Sequence, residues 1–245
     1  MVNISFKEYK AWDAPIRIFH WINFISVISL IFVALIMMYK KELGISSIEA
    51  KIALKELHVI IGYIFVINLL WRIIWGFIGS KYAQWAYIFP GKGYIKEVRS
   101  YIKSISDGDP RQYIGHNPPG RLAISIIMLL LIFISFSGLI RAGTDIYYPP
   151  FGSYITQYIA SPGGDSQSLV PYNPKGTDAE KVNHLKKIKK PFGKIHKYSA
   201  YTLMLIIIIH IIAVVRTDIR EGGSIITAMF TGTKLLKKKP ADLEP

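Results

Sequence analysis

The sequence predicts an all-α membrane protein built on a bundle of four transmembrane helices. Of its 245 residues, 51% are hydrophobic, and the mean hydropathy is +0.31. Four apolar runs are long enough to cross a bilayer core, which takes about 20 helical residues; they are residues 16–39, 57–79, 122–140 and 198–215. The runs lack the alternation of barrel strands, so helices must satisfy their backbone in lipid. We expect residues 1–245 to form a single domain.

The charge pattern predicts how the chain sits in the membrane. Residues 1–15 do not form a cleavable signal, so we expect the first helix to be both targeting signal and span. Four spans place both termini on one side, where Lys and Arg are slightly more numerous. This favours cytoplasmic termini in an inner-membrane, multi-pass protein. The net charge of +14 belongs to loops that flank the spans, which favours contact with anionic lipid over nucleic acid.

Two segments outside the spans look amphipathic, residues 93–106 and residues 223–239. Each has apolar residues at helical spacing beside basic residues, which predicts helices lying in the membrane interface. Packing against partner proteins is the equally weighted alternative. The third loop, residues 142–194, is the longest and turns from Gly, Pro, Ser and Tyr to a strongly basic stretch. Loops of this length often bind partners.

Four of the six histidines lie at or inside the predicted spans: His20, His58, His196 and His210. A polar group in the membrane costs stability, so it marks either a functional site or a hydrogen bond to a neighbouring helix. Four such residues at matching depths favour function. The chain has no cysteine, which excludes disulfides, cysteine-bound iron–sulfur clusters and covalently attached c-type haem.

The depths of the four histidines predict how they pair. His196 and His210 are fourteen residues apart on one helix, about 21 Å along its axis and on nearly the same face. Because successive spans alternate in direction, His20 matches the depth of His210, and His58 matches that of His196. Each pair can bind one haem iron through two axial imidazoles, giving two b haems, one near each face of the membrane. Two small residues, each one turn after an outer histidine, leave room for a macrocycle or for close helix contact: Gly62 and Ala200.

Arg72 is the one charged residue deep within a span. It lies fourteen residues after His58, near the level of the inner haem. A guanidinium there needs a partner, and a haem propionate is a bidentate match for it. Snorkelling to the nearby interface is the alternative. Three further basic residues are candidates for the propionates of the outer haem: Arg141, Lys194 and Lys197.

His116 and Asn117 stand in the motif GHNPPGR, just before the third span. Quinone carbonyls need hydrogen-bond donors, and quinone chemistry needs proton exchange at the same place. We therefore take these two residues as quinone candidates, with a polar helix cap as the alternative reading. Asp218 and Glu221, just past the fourth span, are candidates for passing protons to water. No nucleophile triad, phosphate loop or metal cage for substrate catalysis is present in the sequence.

With these residues in place, the chain resembles the b-type cytochrome subunit of membrane-bound nickel–iron hydrogenases, in the cytochrome b561-like group. The resembling stretches are WDAPIRIFHWIN, LHVIIGYIF, WRIIWGFIGSKYAQW, GHNPPGR and the segment from IHKYSAY to ITAMFTG. The resemblance implies that the chain anchors the small and large hydrogenase subunits in a larger complex. It also implies electron transfer between their iron–sulfur clusters and membrane quinone, with the four histidines as axial ligands.

Other functions are compatible with the same sequence features. The membrane subunits of formate dehydrogenases and thiosulfate-reductase-type complexes share the four helices and the four-histidine pattern, with a different catalytic partner. A non-redox transporter or proton channel would use the histidines as proton relays, but the spans lack paired acidic residues. A purely structural anchor would leave the four histidines without a role.

Overall fold

The computed structural model describes residues 6–221 and 224–243. Within those residues the chain is mostly helical, and a single two-stranded sheet joins its two ends. The α-helices are α1 Ala14–Met38, α2 Ile48–Ile78, α3 Trp85–Ile88, α4 Tyr94–Ser106, α5 Pro118–Ile146, α6 Gly152–Ile159, α7 Ala179–Glu221 and α8 Ala228–Thr231. The strands are β1 Lys7–Lys10 and β2 Thr233–Leu236.

Four of these helices, α1, α2, α5 and α7, are long and apolar enough to cross a membrane. The prediction of a mostly helical chain with four candidate membrane-spanning helices is confirmed. Between 6% and 22% of the residues in their most apolar stretches are fully buried inside the protein, so most of those side chains keep part of their surface exposed. The helices also run past the predicted spans, because hydropathy detects the apolar part of a helix and misses its polar ends.

The predicted loop at residues 142–194 is largely structured, which corrects its description as one long loop. Helix α5 continues to Ile146, α6 follows, and α7 already begins at Ala179. A small apolar cluster explains this order: it buries Ile159, Leu169 and Leu185 together. Tertiary burial of scattered apolar residues leaves no long hydropathy signal, so the sequence did not predict these elements.

The two predicted amphipathic segments have different outcomes. Residues 93–106 form a helix, α4, with one turn-forming glycine before it. The prediction of one helix over residues 223–239 is wrong: among the described residues of this segment, Ala228–Thr231 form the one-turn helix α8, and β2 follows it. Strand β2 pairs antiparallel with β1, with Lys7 opposite Leu236. In β2 the buried residues alternate, Lys234 and Leu236 inside and Leu235 outside, which is the period of a strand. Gly223 lies outside the described residues.

The chain divides into two compact units that are each built from several separate stretches of the sequence. The expectation of a single domain stays a prediction. The first, unit 1, comprises Met1–Ile22, Asn68–Leu129 and Leu203–Pro245. Its core buries apolar residues from distant parts of the sequence: Ala11, Trp12, Ile16, Ala83, Ile114, Ala228 and Leu236. The side-chain amide of Asn68 on α2 donates to the carbonyl of Phe19 on α1 at 3.0 Å, which ties two spans within this unit.

The second unit, unit 2, comprises Asn23–Ile67 and Leu130–Thr202. It contains the cluster around Leu185 described above and parts of all four long helices. Helices α5 and α7 meet in it through Phe136 and Phe192, whose rings lie 6.4 Å apart. Tyr63 on α2 donates to the carbonyl of Pro149 at 2.6 Å, so the segment after α5 is tied to α2 in this unit.

Candidate functional site

Unit 2 brings His58 on α2 and His196 on α7 together. The centroids of the two imidazole rings are 6.3 Å apart, and the ring planes meet at 75°. A metal-bound imidazole nitrogen lies about 2 Å from its ion, so two imidazoles on opposite sides of one ion place their centroids roughly 6 Å apart. The spacing of His58 and His196 therefore fits a single ion held between them.

The surroundings of His196 favour one tautomer. Its Nδ1 lies 3.2 Å from the hydroxyl of Ser137 and 3.3 Å from the carbonyl of Ile134. Ser137 is 1% exposed, and its hydroxyl donates to the carbonyl of Phe133 at 2.7 Å. The serine oxygen is thus left to accept from the His196 Nδ1–H, which leaves Nε2 with its lone pair. Metal-binding histidines are commonly oriented in this way by a second hydrogen bond.

The backbone near both histidines is shaped by glycines. A Cβ at Gly138 on α5 would lie 3.2 Å from Cε1 of His196, so glycine lets α5 come close to the imidazole. A Cβ at Gly62, one turn after His58, would meet no other atom within 4 Å, so this face of α2 is open to a flat ligand. Nδ1 of His58 is buried and has no hydrogen-bond partner among the described residues.

Unit 1 holds the other two histidines, His20 on α1 and His210 on α7. They are close enough to interact electrostatically, and Nδ1 of His20 is buried without a hydrogen-bond partner in the described part of the chain. The single helix α7 thus contributes one histidine to each unit. His58 and His196 thus lie side by side in unit 2, and His20 and His210 interact in unit 1. The predicted pairing of these residues as haem ligands stays a prediction.

Arg72 is buried in unit 1, with 5% of its surface exposed. Its Nη2 donates to the carbonyl of Ala83 at 2.9 Å, and the guanidinium stacks over the ring of Trp85 at 4.2 Å. Nη1 is buried without a partner among the described residues. The guanidinium does not snorkel to the surface, so a buried cation remains with one pair of donors unused. A carboxylate is the group that would satisfy it.

His116 packs against Trp12, with ring centroids 4.7 Å apart. Burial, followed by the positive charges of Lys234 and Arg72, lowers the pKa of His116 to about 3, which keeps its imidazole neutral. Asn117 acts as the cap of α5, since its Oδ1 accepts from the backbone N–H of Gly120 at 2.9 Å. The capping alternative thus holds for Asn117, and the quinone role of the two residues stays a prediction.

Sequence reasoning missed the residues that hold the segment before His116. Lys234 on β2 donates to the carbonyls of Tyr113 at 3.2 Å and Gly115 at 2.8 Å. The carboxylate of Asp242 accepts from the backbone N–H of Gly115 at 2.8 Å. These contacts join residues more than a hundred positions apart, and no local pattern reports such a contact.

Of the two proton-relay candidates after the fourth span, Asp218 lies among the described side chains and Glu221 does not. Asp218 accepts from the backbone N–H groups of Ile225 at 2.6 Å and Ile226 at 3.1 Å, so its carboxylate holds the turn after α7. The side chain of Glu221 lies outside the described part of the structure. We therefore do not propose a proton-relay role for Asp218 or Glu221.

A second missed feature is an ionic cluster in unit 2. The carboxylate of Asp145 on α5 accepts from Lys55 at 3.2 Å, Arg141 at 2.6 Å and Lys189 at 2.8 Å. The i, i+4 spacing of Arg141 and Asp145 was the one signal in the sequence that pointed to it. Two residues predicted beside Arg141 are exposed and lie outside this cluster: Lys194 and Lys197.

Comparisons with known proteins identify the family of the chain. The family described as prokaryotic cytochrome b561 matches residues 11–232. A protein of Rhizobium leguminosarum bv. viciae named probable Ni/Fe-hydrogenase B-type cytochrome subunit is 24% identical, covering 96% of this chain and 92% of the relative. Its namesake in Bradyrhizobium diazoefficiens is 25% identical over 91% of this chain and 84% of the relative.

A relative in Escherichia coli K12, named probable Ni/Fe-hydrogenase 1 B-type cytochrome subunit, is 23% identical over 92% of this chain and 90% of its own. No solved structure matches. These names are those of b-type cytochromes and support haem b as the cofactor. The resemblance stated from the sequence is confirmed: the chain belongs to the prokaryotic cytochrome b561 family.

Proposed function

We propose that the chain anchors an extrinsic nickel–iron hydrogenase in the membrane and carries electrons between that enzyme and the quinone pool. The observation that carries this proposal is the arrangement of four histidines as two pairs, one in each compact unit. The rings of His58 and His196 face each other, and His20 and His210 are close enough to interact electrostatically. A haem b held by each pair would supply one-electron oxidation and reduction of its iron. The chain's own residues hold and orient these groups.

His58 and His196 would hold one haem, and His20 and His210 would hold the other. The best-supported ligand atom is Nε2 of His196, because Nδ1 is hydrogen-bonded to Ser137 and Ile134. Arg72 is assigned to a propionate of the haem in unit 1, because its buried Nη1 has no other partner in the described chain. Since α7 carries one ligand of each pair, the two haems share a single helix as support.

The hydrogenase is assigned as partner from the names of the relatives, which favour it over formate dehydrogenase and thiosulfate reductase. The small and large hydrogenase subunits would therefore dock on this chain in a larger complex. A proton channel is disfavoured because Asp145, the acidic residue near the end of α5, is already tied to three basic side chains.

His116 is the residue we assign to quinone. Its imidazole is neutral, so it has one N–H to donate to a quinone carbonyl, and it lies in the same unit as His20 and His210. Asn117 is a weaker candidate for hydrogen bonding to quinone, because both ends of its amide already have partners. Its oxygen accepts from Gly120, and its NH2 group donates to the hydroxyl of Tyr101 at 2.8 Å.

We place the chain in the inner membrane with cytoplasmic termini. The helix α4 is assigned to the headgroup region, because Ile95 and Ile102 are 67% and 53% exposed on a helix that also carries basic residues. The chain contains no cysteine, so single cysteines at the two termini can be labelled without background to test the orientation.

The decisive experiment is haem counting on the purified full-length protein by the pyridine haemochrome assay, followed by redox titration. We expect two b haems per chain. Alanine at His58 or at His196 should remove one and the same haem, and alanine at His20 or at His210 should remove the other.

His184 is the matched control, because it is an exposed histidine bonded to Tyr158 and should be replaceable without loss of haem. Loss of different haems by the two members of one pair would refute the pairing. A haem-free protein that conducts protons would replace the proposal with a channel. Reduction of both haems by hydrogen, in the presence of the hydrogenase subunits, tests the partner.

A further inference from the structure

Helices α5 and α7 run antiparallel in unit 2, and three contacts mark successive steps of their interface. Gly138 faces His196, Gly193 lies against Arg141, and Asp145 binds Lys189 at 2.8 Å. Each step moves three or four residues along both helices, which is one helical turn. The ionic cluster at Asp145 therefore lies about two turns from His196 along the same line of contact.

A cavity of about 280 Å³ opens beside this interface. It is lined by Arg141, Asp145, Lys186, Lys189, Lys190 and Gly193. The lining carries four basic side chains and a single carboxylate. Since the Asp145 carboxylate also binds Lys55 from α2, the cavity keeps a clear excess of positive charge. Such a cavity is complementary to a ligand with more than one negative oxygen.

Arg141 connects this cavity with the histidine pair. Its guanidinium is within electrostatic range of both His58 and His196. Nη2 is held by Asp145 at 2.6 Å, and a Cβ at Gly193 would lie 3.2 Å from Nη1, so α7 passes directly beside the guanidinium. Asp145 and Gly193 thus fix its position between the cavity and the two imidazoles.

We propose that this cavity binds the propionate carboxylates of the haem held by His58 and His196, with Arg141 as the residue that contacts them. The proposal rests on the proposed function, because it needs a haem between these histidines. Two carboxylates match the excess charge, and a guanidinium suits carboxylate oxygens. Lys186, Lys189 and Lys190 supply the remaining positive charge, a role that the sequence had assigned to Lys194 and Lys197.

The test is redox potentiometry of both haems in the purified full-length protein carrying Arg141→Gln or Lys190→Gln. Removing a positive charge beside a propionate disfavours the reduced haem, so the midpoint potential of the haem that His58→Ala abolishes should fall. The other haem should keep its potential. Lys187→Gln is the matched control, because it removes the same charge from an exposed position on α7 outside the cavity.

Reconstitution with the dimethyl ester of haem separates a propionate contact from a general effect of charge. With the carboxylates blocked, the difference in potential between the wild type and each variant should largely disappear. If Arg141→Gln does not fold, Lys190→Gln still tests the proposal, because Lys190 is exposed and forms none of the described contacts between α5 and α7.

Two results would overturn the proposal while leaving the haem assignment intact. One is two bound haems with unchanged potentials in both variants. The other is loss of a co-purifying anionic lipid, measured by mass spectrometry, with unchanged potentials, which would assign the cavity to a lipid phosphate. A wild-type protein without haem would overturn both this proposal and the proposed function.

Discussion

His58 and His196 face each other in unit 2 with their ring planes 75° apart. Nearly perpendicular axial imidazoles make two iron orbitals close in energy, which gives an oxidised low-spin haem a strongly anisotropic electron paramagnetic resonance signal. We expect one haem of the oxidised protein to give such a signal at low temperature. It should vanish in His58→Ala and persist in His20→Ala. A rhombic signal typical of parallel imidazoles from that haem would contradict the arrangement.

Ser137→Ala is expected to raise the midpoint potential of the same haem. The hydroxyl of Ser137 lies 3.2 Å from His196 Nδ1, and accepting this N–H makes the imidazole a stronger electron donor to iron. Without it the oxidised iron is less stabilised, although Ile134 still accepts. Redox titration measures the shift. Ser125→Ala is the control, because that hydroxyl bonds to the carbonyl of Arg121 in its own helix. Equal shifts in both variants would remove the special role of Ser137.

Gly62→Ala is expected to change protein stability and haem occupancy in opposite directions. A Cβ there meets no protein atom within 4 Å, and replacing glycine by alanine inside a helix gains about 0.5–1 kcal/mol. The haem-free protein should therefore be as stable as the wild type or more so, as judged by thermal unfolding in detergent. Haem occupancy of the His58 site should fall, because the methyl group occupies the face open to the macrocycle. Unchanged occupancy would place the haem on another face of α2.

Asp13→Asn is expected to destabilise the protein at neutral pH and to weaken its response to acid. Burial raises the pKa of Asp13, but hydrogen bonds from Ser80, the backbone N–H of Ile16 and the indole of Trp75 outweigh it, so the net pKa lies below its usual 3.8. The positively charged side chain that interacts electrostatically with Asp13 is Arg72. A lowered pKa stabilises the folded state above pH 3.8, and this contribution is lost as pH falls below it.

Asparagine can still accept from Ile16 at the start of α1, but its NH2 group cannot accept from the indole of Trp75 and the backbone N–H of Ser80. Loss of these bonds should cost about 1 kcal/mol at neutral pH. Thermal unfolding measured over a descending pH series tests both parts of the prediction. The wild type and Asp13→Asn should converge in stability at acid pH. Parallel curves that never converge would mean that the carboxylate charge is not the source of the effect.

The sequence predicted the parts of this molecule that follow from local composition. Apolar runs predict membrane-spanning helices because the thickness of the bilayer sets the length of such a helix. A spacing of fourteen residues predicts that two residues share one helix face because the number of residues per turn is fixed. No local sequence pattern predicts the contacts of Lys234 and Asp242 with the segment before His116. They depend on β2 pairing with β1, and a four-residue strand among basic residues resembles an amphipathic helix end when its partner is unknown.

Arg72→Met is expected to act on the haem assigned to His20 and His210. The substitution removes the charge-assisted hydrogen bond to the Ala83 carbonyl, worth about 1.5–3 kcal/mol. It also removes the buried charge, whose Nη1 has no partner among the described residues. If a propionate is that partner, the midpoint potential of this haem should fall and its occupancy decrease, while the haem at His58 is unaffected. Redox titration and haem counting measure both quantities.

Arg72→Lys should restore part of the potential, because it returns the charge without the bidentate geometry. A variant with unchanged potential and higher thermal stability would instead identify Arg72 as an uncompensated buried cation, since replacing such a charge by an apolar side chain relieves its desolvation cost.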